Sequence, residues 1–143
     1  MIQKEMLDIK DRMILLSILT RSLELFSGDW AKTICYIAGR KMSEVIDVGK
    51  CNTVEECLDK LSKLSPWKVD VFEKVSDNEY LVVFKSCPIR QTHYTVCTKQ
   101  GGALCQVTHG YIESILSSHL EKKVRLILMH AGPNACLKRL VVT

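Results

Sequence analysis

The sequence predicts an α+β domain in which N-terminal helices pack on a mostly antiparallel sheet of two hairpins, with one more helix between the hairpins. Three observations predict it. Apolar residues recur at spacings of three and four through the first 64 residues, which is the helical period. The period falls to two in residues 67–84 and again in residues 124–142. Turn-forming clusters, residues 76–78 and residues 131–134, split each of those stretches in two. The chain has 143 residues, 47% hydrophobic and 25% charged, so a single domain spanning residues 1–143 around one core is expected.

In the first helix, Ile2, Met6, Ile9, Met13, Leu16, Thr20 and Leu23 form one stripe, widened by Leu15, Ile18, Leu19 and Phe26. Its seam of Ile2, Met6, Ile9, Met13, Leu16 and Leu23 is coiled-coil-like, which makes residues 1–27 a candidate homodimerisation element. Ser27, Gly28 and Asp29 supply a stop and then an N-cap for a second helix over about residues 30–48. Gly39 lies inside that helix at a cost of about 1 kcal/mol relative to Ala, and close approach of another backbone would be a reason to keep it. Thr53 and Glu56 resemble a capping box opening a third helix, which runs to Leu64 before Pro66 ends it. Trp67, Val69 and Val71 alternate with Lys68 and Asp70 as a first strand, and residues 80–84 return as a second. An irregular polar stretch runs from Cys87 and Pro88 to Gly101 and Gly102. Leu104, Val107, Tyr111, Ile115, Leu116 and Leu120 then mark a helix, and residues 124–129 and 137–142 form the closing hairpin.

Composition excludes several classes. Three Pro and seven Gly are too few for a disordered or linker-dominated chain. The longest charge-free apolar stretch, residues 13–20, is far short of the ~20 residues that span a bilayer. Glu5, Asp8 and Asp11 precede it, against a secretion signal or transit peptide, and a cytoplasmic location is expected. The formal net charge of +4 is spread along the chain. Its densest cluster, Lys122, Lys123 and Arg125 with Lys138 and Arg139, reads as the solvated rim of a sheet, so no nucleic-acid partner is expected. In a reducing compartment the seven cysteines are expected to be buried thiols or metal ligands rather than disulfides.

No phosphate-cradling loop, nucleophile elbow or paired-His metalloprotease helix occurs. Cys97 with His93, or Cys105 with His109, can be drawn as thiol and base, but no orienting carboxylate accompanies either pair, and no enzyme is expected. Cys87 at a strand end, Cys105 at a helix start, and His130 and Cys136 flanking the last turn form a candidate tetrahedral zinc set, for which the helix N-terminus favours thiolate at Cys105. The same residues also read as packing groups. Cys35 and Cys57 lie on helix faces as non-ligands, with Cys97 the replacement for His130.

The run from Cys87-Pro88 through Cys105-Gln106-Val107-Thr108-His109-Gly110-Tyr111 to Gly132 and Cys136-Leu137 resembles the 4-vinyl-reductase-like, hydrocarbon-binding domain family. In that family a Cys opens a helix with a Gly five residues on, matched by Cys105 and Gly110. A turn containing Gly-Asp leads to a Cys on the last strand, matched by Gly132 and Cys136. Pro133 stands where the family has Asp, and Leu128 where it has a strand Cys. His130, two residues beyond Leu128 and so expected on the same strand face, is the substitute ligand. The resemblance implies a small-molecule-binding domain of archaea or bacteria, and a fold akin to the helix-dimerised subunits of the vesicle-tethering transport particle.

The function expected from these readings is a cytoplasmic domain that binds or senses a small hydrophobic or aromatic molecule in an apolar pocket over residues 28–143, with a structural zinc. Trp30, Tyr36, Phe84 and Tyr111 are the candidate pocket residues. A homodimer is expected, and a separate signalling chain, since no DNA-binding or ATPase domain is attached. The alternative is a dimeric scaffold without ligand; the family name adds an accessory role in tetrapyrrole chemistry.

Overall fold

A computed structural model describes residues 2–64, 67–87, 89–90 and 102–143, with the side chains of residues 2–10, Met13 and Leu64 excepted. The elements in order are α1 (Ile2–Ser27), α2 (Trp30–Val45), α3 (Val54–Leu64), β1 (Val71–Ser76), β2 (Glu79–Phe84), α4 (Cys105–Leu120), β3 (Val124–Ala131) and β4 (Cys136–Val142). The expected fold class is observed. The four strands lie in the order β1-β2-β4-β3, every neighbouring pair antiparallel, so the two hairpins join through β2 and β4.

The core forms where α4 lies across the sheet. Period two along β4 turns Cys136, Lys138, Leu140 and Val142 inward, and the same alternation turns Tyr80, Val82 and Phe84 of β2 inward beside them. Above them Tyr111, Ile112, Ile115 and Leu116 of α4 are fully enclosed, each such apolar side chain stabilising the fold by about 1.5–3 kcal/mol. Residues from Thr108 to Glu113 are all buried, because α4 has the sheet on one side and α2 on the other. The helices meet at two glycines. A Cβ on Gly39 would stand 2.1 Å from the Val107 carbonyl oxygen, and one on Gly110 2.0 Å from that of Tyr36. The close approach expected of Gly39 is thus present, with Gly110 as its counterpart.

Other local expectations meet the structure unevenly. The Glu56 amide donates to Thr53 Oγ1 at 3.2 Å while the Glu56 carboxylate accepts from the Asn52 amide, so α3 is capped as expected. Asp29 occupies the N-cap position of α2 but makes no side-chain cap; Gly28, at φ +55°, turns the chain between α1 and α2. The first strand starts at Val71 rather than Trp67, with Trp67 and Val69 buried in the approach to it. Cys51 and Cys57 form a buried disulfide tying the α2–α3 loop to the first turns of α3, where reduced thiols were expected. The pairing follows from the turn at the head of α3, which brings the two Cα atoms to 5.3 Å. On α1, Leu23 packs against Ala31, Cys35 and Ala103 of its own domain, whereas Leu16 is exposed. Ile2, Met6, Ile9 and Met13 of the proposed seam carry side chains outside the described set.

Candidate functional site

The end of the sheet near the β3–β4 turn, the start of α4 and Trp67 enclose a small cleft. Its walls are Trp67, Phe84 of β2, Cys87 just beyond it, Cys105 and Thr108 of α4, Leu128 and Ala131 of β3, and Cys136 and Lys138 of β4. The lining is mainly apolar, and the free volume is about 20 Å³, room for one water. Three of the four residues expected to gather around a zinc, Cys87, Cys105 and Cys136, do line this cleft together.

His130 does not. The β3–β4 register slips between Leu128 and His130: Leu128 pairs with Lys138, but His130 pairs with Leu137 and Ala131 with Cys136. Met129 is the extra residue of a β-bulge, and the bulge reverses the alternation beyond it. His130 therefore shares the outer face with Leu137 and is exposed, while Ala131 takes the inward place beside Cys136. Lys138 brings an ammonium into the same cleft, where it opposes a dication. Among the described residues no three Cys, His, Asp or Glu side chains converge to hold a metal ion. Cys97 and His93 lie outside the described residues.

Lys138 was read with the solvated basic rim and is instead 5% exposed. Its Nζ stands 5.2 Å from the centroid of the Phe84 ring, a cation–π contact. Burial pulls its pKa below the usual lysine range; the sulfurs of Cys105, Cys87 and Cys136 act in the opposite direction, and the Arg90 charge acts with burial. Arg90, also buried, is engaged at the cleft's end through both terminal nitrogens of its guanidinium, while its Nε has no hydrogen-bond partner among the described residues. Nη2 donates to the Phe84 carbonyl at 2.9 Å and to Cys136 Sγ at 3.0 Å, and Nη1 to the Lys85 and Asn134 carbonyls. On α4, burial and then the Lys138 charge push the His109 imidazole down to about 3. A histidine held there is uncharged at neutral pH.

The four aromatic candidates for a ligand pocket do not share one place. Phe84 lines the cleft. Tyr111 is core, its ring 5.6 Å from that of Trp67 and its hydroxyl donating to the Ile46 carbonyl at 2.9 Å. Trp30 is 71% exposed at the head of α2. Tyr36 borders a separate open groove of about 620 Å³ with Arg40, Lys123, Arg125 and the hydroxyls of Ser114, Ser117 and Ser118. There the Tyr36 hydroxyl donates to buried Glu113, whose other oxygen accepts the Leu126 amide at 2.7 Å. Burial and that carboxylate raise the tyrosine to about 12. This groove is polar and cationic, unlike the apolar pocket expected between helices and sheet.

No protein-family model and no curated protein matches the sequence. Among solved structures the chain is similar to trafficking protein particle complex subunit 3 from Naegleria fowleri, covalently bound to palmitic acid. The two are 14% identical with a TM-score of 0.61, and the match covers 94% of this chain and 96% of that one. The helices, the antiparallel sheet and the helix between its hairpins are thus those of a trafficking-particle subunit fold.

Proposed function

We propose that the protein is a non-catalytic domain that binds a small, mostly apolar molecule in the cleft between α4 and the sheet. The observation that carries this reading is the lining: Trp67, Phe84, Leu128, Ala131 and the three cysteines come from separate parts of the chain and present chiefly carbon and sulfur to one point. The palmitic acid on the similar trafficking-particle subunit supports an apolar occupant. A cleft with about 20 Å³ of free volume is closed, so an occupant must part its walls. The apparent affinity is then reduced by the fraction of molecules already open.

Thermal melts with decanoic acid, 1-decanol and phenol test the reading. At one hundred times its dissociation constant a ligand adds about 2.7 kcal/mol, a readily measured rise in Tm. No shift with any of the three would leave the scaffold as the better reading.

We further propose that the domain is a homodimer built on α1 and α2. Leu15, Ile18, Leu19, Leu25 and Phe26 of α1, with Trp30, Ile34 and Ile37 of α2, are all exposed, and soluble monomers rarely leave large apolar patches uncovered. Sedimentation at micromolar concentration should give a dimer, and Leu19→Glu a folded monomer. A monomeric parent protein would remove the dimer.

A further inference from the structure

Lys138 is a basic group in an apolar enclosure. It is almost wholly enclosed, it lines an apolar cleft beside three cysteine sulfurs, and its Nζ lies over the face of the Phe84 ring. An ammonium taken out of water and left without an anion is strongly destabilising, so such groups occur where something compensates them. The other buried cation nearby shows the contrast. Arg90 donates from its two terminal nitrogens to three carbonyl oxygens and one sulfur, and so closes the strand ends as a structural clamp. Lys138 makes no hydrogen bond to a described residue and lines the space where an occupant would lie. Among the described residues no Asp or Glu lines that space.

We infer that the occupant of the cleft carries an anionic headgroup, a carboxylate, which Lys138 binds while Trp67, Phe84 and Leu128 hold the apolar body. The ligand class is an amphipathic carboxylic acid, and the assignment rests on the apolar-binding reading above. Geometry selects the headgroup end. Lys138 follows Cys136 by two residues on the inward face of β4 and lines the cleft with Cys105 and Cys87, which places the carboxylate at that wall. A bound carboxylate replaces the hydration that enclosure removes from the amine.

The test compares decanoic acid with 1-decanol, which has the same chain and no charge, by isothermal titration of the full chain at pH 7.4. The acid is expected to bind at least about tenfold more tightly than the alcohol, the range in which a buried charge-assisted hydrogen bond acts. In Lys138→Met, with its fold checked by thermal melting, the acid should fall to the alcohol's affinity while the alcohol is retained. Acid and alcohol binding equally to the parent protein would overturn the carboxylate assignment and leave apolar binding standing, with no variant required. Discrimination that survives in Lys138→Met would overturn Lys138 as its source. Binding of neither would overturn this inference together with the reading beneath it.

Discussion

Replacing Gly39 by Ala tests the crossing that positions α4, and the two effects involved have opposite signs. Helix propensity alone predicts a gain of about 1 kcal/mol, since Ala is the better helix former. The structure predicts a loss. The new Cβ would lie 2.1 Å from the Val107 carbonyl oxygen and 2.8 Å from the Tyr111 amide nitrogen, both backbone atoms of α4 that no side-chain rotation can move. The helices must part by roughly 1 Å or more to restore ordinary contact, an overpacking cost of about 1–3 kcal/mol. The same displacement strains the Tyr36–Glu113 and Ser43–Ser114 hydrogen bonds that cross the interface, each contributing about 1 kcal/mol. The expected net loss is about 2–4 kcal/mol, with the sterics outweighing propensity. For a chain of this length the unfolding entropy is about 0.3 kcal/mol/K, so Tm should fall by about 7–13 °C in scanning calorimetry. Gly28→Ala is the comparison: no atom lies within 4 Å of its new Cβ, and only the positive φ costs about 1 kcal/mol. A Tm for Gly39→Ala at or above that of the parent would refute the tight crossing.

Three further outcomes are expected. His109, held near 3 when folded against about 6.5 unfolded, takes up its proton first in the unfolded chain, so its contribution is intact above pH 6.5 and lost as pH falls toward 3. Urea unfolding at pH 7.5 and 5.0 should show a loss of about 2 kcal/mol that shrinks in His109→Gln; an equal loss in that variant would assign it elsewhere. Cys51 and Cys57 should resist alkylation in denaturant without reductant, and the double Ser variant should lose about 2 kcal/mol for a loop this short; alkylation of both would deny the disulfide. Elemental analysis of untagged protein should give far less than one zinc per chain. Stoichiometric zinc that disappears in Cys105→Ser would show that residues beyond the described ones complete a site.

What the sequence showed and what it withheld divide along local and non-local physics. Helical period, the Thr53–Glu56 cap, and a Gly inside α2 are local signals, and each has its structural counterpart. The inward place of Lys138 was legible too, since Cys136, Lys138, Leu140 and Val142 alternate through β4; proximity to Arg139 in the sequence led to the rim reading instead. The bulge at Met129 was not legible. Strict alternation puts His130 on the face of Leu128, and only the pairing with β4 shows the extra residue that turns it outward. Trp67 and Val69 alternate like a strand because both are buried, but burial does not specify a hydrogen-bonding partner. The aromatic candidates scattered because hydrophobicity predicts enclosure and not which enclosure. Trp67 and Thr108, missed as cleft residues, carried no signal apart from position.

The central claim is that an apolar molecule occupies the cleft, and Trp67 in its wall reports on that directly. The chain has two tryptophans, so Trp30→Phe leaves Trp67 as the only one. Titrating that variant with a brominated decanoic acid should quench Trp67 fluorescence with one-site saturation, and unlabelled decanoic acid should reverse it. Unchanged Trp67 fluorescence, with quenching in the parent protein confined to exposed Trp30, would place the binding on the surface and contradict the account.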